Sequence, residues 1–223
     1  MISLLLIRHG QTDWNIAGRW QGHTDIPLNE TGLAQGRLLA RRLSTWPIKA
    51  VYSSDLSRAA RTADLISEPL NLQPIYLEAL RERNGGLFQG MTTGEIHEKY
   101  PEDLALLRET GMAPHVGESN LDVAQRLLKA FERIISDHEG EMVAIVSHGG
   151  ALASIVAYYL GFPLGERARL SLRANTGLSI VEIDGRGPIV TLLNDVSHLS
   201  GSGLSLGEGF SFGTEKLGWG SSE

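Results

Sequence analysis

An α/β fold is predicted for this chain: a three-layer sandwich with a mostly parallel central sheet, one antiparallel edge strand, and helices on both faces. Three observations predict it. Short dense apolar runs, such as Ile2 to Ile7 and Met142 to Val146, read as strands buried on both faces. Between them lie segments whose apolar residues recur every three or four positions, the spacing of a helix with one buried face. Strands alternating with helices imply a parallel sheet. Two late β-prone runs flank Asp184-Gly185-Arg186-Gly187, which adds an antiparallel hairpin at one edge.

In chain order, Ile2 to Ile7 is the first strand. Residues 8 to 29 are polar and contain glycine, so they read as a long loop, and long unstructured loops are often functional. Thr31 opens a helical pattern through Leu33, Gly36, Ala40 and Leu43. Ile48 to Tyr52 is a second strand, Ser57 to Ile66 a helix stopped near Pro69, and Pro74 to Leu77 a short third strand. Residues 84 to 118 are irregular and rich in Gly and Pro, with short helices expected at 94–100 and 102–110. Ser119 is an N-cap with Asp122 three residues on. Leu121, Ala124, Leu127, Leu128, Phe131, Ile134 and Ile135 form one apolar face behind it. The Met142 strand leads through Ser147-His148-Gly149-Gly150 into an apolar helix ending near Leu160. Ser179 to Ile183 and Ile189 to Leu193 form the hairpin.

The 223 residues suit one large domain or two small ones. Residues 1–199 read as one domain, with a small cap or insert near 84–118. Residues 200–223 hold 7 Gly and 6 Ser among Phe210, Phe212 and Trp219, and read as a tail or a flap. Hydrophobic residues at 42% and charged residues at 21% exclude wholesale disorder and a coiled coil. No apolar run approaches a membrane span, and no basic residue precedes the apolar start, which therefore reads as a strand rather than a signal peptide. Cys is absent, which excludes disulfides, thiolate catalysis and thiolate metal sites, and makes the cytoplasm the simplest compartment. A net charge of −6 argues against nucleic acid as a partner. The cations are 16 Arg and 4 Lys. Arg suits bidentate binding of phosphate or carboxylate, and genomic composition explains the skew equally well.

Ligands in open α/β sheets bind outside the carboxyl ends of the strands. Two polar clusters fall there: Arg8-His9-Gly10 after the first strand, and Ser147-His148-Gly149 after the Met142 strand. Adjacent strands lie about 4.8 Å apart, so the two histidines share one crevice if those strands are neighbours. Arg beside His points to an anionic substrate and a nitrogen nucleophile or base.

Leu6-Ile7-Arg8-His9-Gly10-Gln11-Thr12-Asp13-Trp14-Asn15 resembles the signature of the histidine phosphatase superfamily, in its phosphoglycerate mutase-like branch. The resemblance continues in order through Gln21 to Gly32, Ser53 to Ala59 with Thr62-Ala63, Leu80-Arg81-Glu82, Gly117-Glu118-Ser119, Ser147-His148-Gly149 and Asn194 to Leu199. It implies that His9 attacks phosphorus and becomes a phosphohistidine, a task for which a neutral imidazole is competent near pH 7. It implies that Arg8, Arg58, His148, Asn15 and the Gly149 amide bind the phosphoryl oxygens, the electrostatic work that phosphoryl transfer mainly needs. Glu82 would protonate the leaving oxygen and then activate water. Gln21, Gly22 and Arg83 would line the substrate side, and Asp13 and Trp14 would shape the loop. No cofactor or metal is expected, and the partner is a small phosphomonoester, with neither nucleic acid nor membrane, bound by a monomer or homodimer.

Two activities share the phosphohistidine. Mutases of this family carry a Tyr three residues after the acid and a long basic insertion. Here that position is Gly85, and Gln89 to Gly117 is short and not basic. A phosphatase is therefore favoured over a phosphoglycerate mutase, and a catalytically silent binding module is the third alternative. Gly203-Leu204-Ser205-Leu206-Gly207 matches G-x-S-x-G, but no His follows His198, as a serine hydrolase of that type requires. His23, His97, His115, His138 and His198 read as surface or supporting residues, with His198 placed to support the site.

Overall fold

A computed structural model of the chain describes residues 1–113, 115–166, 170 and 172–204. The tail beyond Leu204, including Ser205 of the G-x-S-x-G pattern, Phe210, Phe212 and Trp219, lies outside them.

Six strands form one sheet: β1 (Ile2–Arg8), β2 (Ile48–Ser53), β3 (Ile75–Tyr76), β4 (Met142–Ser147), β5 (Leu178–Asp184) and β6 (Gly187–Asp195), in the order β3-β2-β4-β1-β5-β6. β1, β2, β3 and β4 pair in parallel. β5 is the one reversed strand, and β6 returns beside it as the edge of the expected hairpin.

Period-2 alternation sends the β1 side chains to two cores. Leu4 and Leu6, with Val143 and Ile145 of β4, pack against α6 (Asn120–Asp137) and α7 (Gly149–Tyr159) through Leu127, Phe131, Leu152 and Ile155. Leu5 and Ile7, with Ala144 and Val146, pack on the other face against α2 (Glu30–Leu43) and α3 (Ser57–Ser67) through Leu39, Leu43, Ala59, Ala63 and Ile66. This is the expected three-layer sandwich. A full side chain of this kind taken out of water contributes about 1.5–3 kcal/mol, so the two cores hold the strand ends firmly.

Local chemistry places the helix starts. α2 begins one residue before the expected Thr31, because the Asn29 side chain accepts from the Gly32 amide and caps it. Ser119 and Asp122 form the anticipated capping box on α6. Within the 8–29 loop the sequence pattern showed no helix, yet Thr12 and Asn15 cap each other around a single turn, α1 (Asp13–Ile16). Residues 84–118 hold α4 (Thr93–Lys99) and α5 (Pro101–Thr110) around a small core of Phe88, Ile96, Leu104, Leu107, Ala113 and Val116, separate from the two sheet cores.

Candidate active site

The register of β1 on β4 pairs Arg8 with Ser147. The next residues, His9 and His148, therefore leave the sheet side by side, and the His9 amide donates to the Ser147 carbonyl at 3.0 Å. Their rings sit 5.2 Å apart, centroid to centroid, and both are buried. Behind them the first turn of α2 lies against the loop. A Cβ on Gly10 would come 2.6 Å from the Gly32 carbonyl oxygen, and one on Gly32 would come 2.2 Å from that of Gln11, so only glycine allows this approach.

The two imidazoles hold opposite tautomers. His9 Nδ1 lies 2.7 Å from the Gly10 carbonyl oxygen. A carbonyl only accepts, so Nδ1 carries the proton and Nε2 keeps its lone pair. At His148, Arg58 Nε donates to Nδ1 at 3.2 Å, so the proton is on Nε2. That Nε2 is buried without a partner. Burial, reinforced by Arg58 and Arg8 at His9 and chiefly by Arg58 at His148, holds both rings well below the usual imidazole range, so both are neutral at pH 7. One ring thus offers a lone pair and the other a proton, in the same place.

Arg8 and Arg58 supply positive charge. Burial pushes each guanidinium down to about 10, still charged at neutral pH. Arg8 Nε is buried without a partner, while its NH1 donates to the Arg173 carbonyl. Arg58, at the start of α3, is fully buried and is aimed by the Thr24 and Gly22 carbonyls, which accept from NH1 and NH2 at 2.9 and 2.7 Å. Orphaned buried donors are costly unless something meets them. His148 Nε2 and Arg8 Nε are two such donors, and an anion satisfies both.

Glu82 reaches the same place by another route. After β3 a single 3-10 turn (Glu78–Leu80) leads into it, and Ser147 Oγ anchors that turn by donating to the Leu80 carbonyl at 2.7 Å. The carboxylate accepts from the Gly150 amide in the first turn of α7 and from the Arg83 amide, both at 2.9 Å. A Cβ on Gly150 would stand 2.7 Å from Glu82 Oε1, so a side chain there would displace the acid.

Outside the histidines lies a cavity of about 650 Å³. Arg8, Asn15, Glu82, Arg83 and Gly149 line it, with Arg19, Trp20, Asn120, Arg173 and Asn175. Asn15 Oδ1 is taken by the Thr12 amide and by Asn175, which leaves its NH2 for the cavity. Arg83 NH2 donates to Asn120 Oδ1. Gln21 and Gly22 lie off this lining: the Gly22 carbonyl aims Arg58, and Gln21 Oε1 is buried without a partner. Of the other histidines, His198 donates through Nε2 to Thr176 Oγ1 at 2.9 Å, and the Thr176 amide closes on the Arg8 and His9 carbonyls. His138 and His115 pair with Glu141 and Asp103 away from the site. Among the described residues no cluster of three or more His, Asp or Glu is arranged to hold a metal.

Sequence reasoning missed Asn175, Thr176 and Arg126. Asn175 Nδ2 donates to the His9 carbonyl at 3.1 Å. A signal existed: Asn175-Thr176-Gly177 precedes β5, and because β5 is reversed its start lies where β1 ends.

A family model for the histidine phosphatase superfamily (branch 1) matches residues 4–196. The chain belongs to this family. It is 38% identical over 207 residues to a metal-independent phosphoserine phosphatase of Arabidopsis thaliana, covering 90% of this chain and 84% of that protein. It is 36% identical to a probable phosphoglycerate mutase, GpmB, of Serratia proteamaculans (89% and 95% covered). The solved structure of Bacillus stearothermophilus YhfR superposes with a TM-score of 0.81 at 34% identity, covering 89% of this chain and 100% of that one. This histidine phosphatase is an enzyme, a phosphatase of small phosphorylated metabolites, and relatives named as mutases share its family.

Proposed function

We propose that the chain hydrolyses phosphomonoesters of small, carboxylate-bearing metabolites such as phosphoserine, through a phosphohistidine on His9. The opposite tautomers of His9 and His148 carry this reading. His9 Nε2 brings a lone pair to phosphorus, and a P–N bond forms as the P–O bond to the leaving group breaks. Glu82, in its acid form, gives its proton to the leaving oxygen. His148 Nε2–H, Arg8, Arg58, the Asn15 amide and the Gly149 end of α7 meet the phosphoryl oxygens as charge builds on them. Water then attacks phosphorus, Glu82 takes its proton, the P–N bond breaks, and His9 returns to its starting tautomer with free phosphate.

Substrate size follows from the cavity. A volume of about 650 Å³ suits a small metabolite. Arg83 and Arg173 on its wall favour a second anionic group beyond the phosphate. The phosphoserine phosphatase relative supports the same substrate. Residues 84–118 act as the cap, on a domain spanning 1–199. The enzyme works in the cytoplasm as a monomer or homodimer, without nucleic acid or membrane; net charge and the lack of Cys support this.

Rapid alkaline quench with phosphorus-labelled substrate tests the reading, because alkali spares a phosphohistidine and destroys a phosphoserine. Label is expected on His9, and turnover is expected to survive EDTA. A panel of phosphoesters ranked by kcat/KM should place phosphoserine and phosphoglycerates above neutral sugar phosphates. Label passing to added phosphoglycerate in preference to water would make the enzyme a mutase.

A further inference from the structure

We propose that Arg126, locked to Glu118, is the positioning residue for the Glu82 carboxyl. The inference rests on Glu82 being the proton donor, as argued above. Residues 79–84 belong to no strand, and β4 reaches them through Ser147 Oγ at the Leu80 carbonyl, two residues before the acid. A guanidinium from α6 ties the acid's own carbonyl and those of its neighbours. Arg126 NH1 donates to the Ala79 and Arg81 carbonyls at 2.9 and 2.8 Å, and NH2 donates to the Glu82 carbonyl at 2.9 Å. The same guanidinium grips both oxygens of Glu118, at 2.8 and 2.9 Å.

Glu118 completes the clamp from the far side. Its Oε2 accepts from the Asn84 amide at 2.8 Å, and its own amide donates to the Asn84 carbonyl at 3.2 Å. His23 Nε2 donates to the Glu82 carbonyl at 2.8 Å, beside the same carboxylate. The segment is therefore tied just before, at and just after Glu82 by one ion pair. Neither Arg126 nor Glu118 lines the cavity, and the hydrogen bonds of both run to the backbone of residues 79–84 and to each other. Five hydrogen bonds converge on one planar group, which a lysine ammonium cannot reproduce. Misplacing a catalytic group by about 1 Å costs on the order of 10²-fold.

The test compares kcat/KM for an alkyl phosphomonoester, whose leaving oxygen needs a proton, with that for p-nitrophenyl phosphate, whose leaving group scarcely does. This parameter covers phosphoenzyme formation only and so excludes the hydrolytic step. R126M is expected to lose about 10- to 100-fold on the alkyl ester and far less on p-nitrophenyl phosphate, with vanadate inhibition unchanged. E118Q should show the same bias more weakly, R126K should rescue little, and R126M should add nothing to E82Q. If R126M does not fold, E118Q is read by the same ratio. Equal losses on both esters, or additive losses with E82Q, overturn the clamp. An E82Q variant with no leaving-group bias of its own overturns the Glu82 assignment instead, which keeps the two failures apart.

Discussion

The phosphate cradle and the 84–118 segment, which reaches the cavity lining through Thr93, are built differently. The cradle stands on the ends of β1 and β4 and the first turns of α3 and α7, between two full cores. His9, Arg58 and His148 are almost wholly buried there, and every aiming bond comes from backbone or from another buried group. The 84–118 side rests on two short helices and a separate core of six buried residues. It is stitched to the 8–29 loop by a few contacts, among them Trp20 with Met91 and the Arg19–Glu95 ion pair. The reacting groups thus sit where packing leaves no freedom. The 84–118 segment, with its smaller core, has fewer partners and can change shape at less cost.

The largest effect should come from the cradle. His9→Ala is expected to abolish both phosphoenzyme and turnover, whereas His148→Asn should slow labelling without moving the label from position 9; mapping by mass spectrometry distinguishes the two. Any turnover by His9→Ala through a labelled His148 would break the division of labour read from the tautomers.

Glu82→Gln comes next, with a loss of about 10² to 10⁴ in rate on poor leaving groups, the usual contribution of general acid catalysis. On p-nitrophenyl phosphate the loss in kcat/KM should shrink. Stopped-flow release of p-nitrophenolate measures it.

Phe88→Ala sharpens the comparison from the other side. Phe88 is fully buried in the small core, and its removal should cost about 3–5 kcal/mol of local stability. If the two regions are separate, hydrogen exchange should rise across 84–118 and KM for phosphoserine should climb. Labelling of His9 by p-nitrophenyl phosphate should hardly change. A fall in labelling as large as that of Glu82→Gln would show that the regions act as one.

The smallest effect is in pH. His198 is pushed down to about 4, chiefly by burial and further by Arg42, with Asp195 opposing. An unfolded imidazole titrates near 6.5, so between about pH 6.5 and 4 the unfolded chain binds a proton that the native chain does not. Stability therefore falls as pH drops through that window, and His9 and His148 act in the same direction. His198→Gln should flatten part of this slope in urea midpoints taken from pH 7.5 to 4.5. An unchanged slope would remove His198 from the account.

Much of the molecule was legible in the sequence alone. The apolar runs of β1 and β4 follow from local chemistry, because a buried strand needs a continuous apolar run. The Ser119 cap lies within a turn of what it holds. The Arg8-His9-Gly10 and Ser147-His148-Gly149 clusters were visible because they abut strands. Tertiary structure decided what depends on partners far apart in the chain. The adjacency of β1 and β4 sets His9 beside His148 across more than a hundred residues, and Arg58 then fixes which nitrogen of His148 carries the proton. The reversed direction of β5 brings Asn175 and Thr176 to the His9 carbonyl. Arg126 looks like one more cation on an amphipathic helix until α6 is docked on the Glu82 segment. A tautomer or a clamp is set by which acceptor lies within about 3 Å, and that distance exists only after the chain has folded.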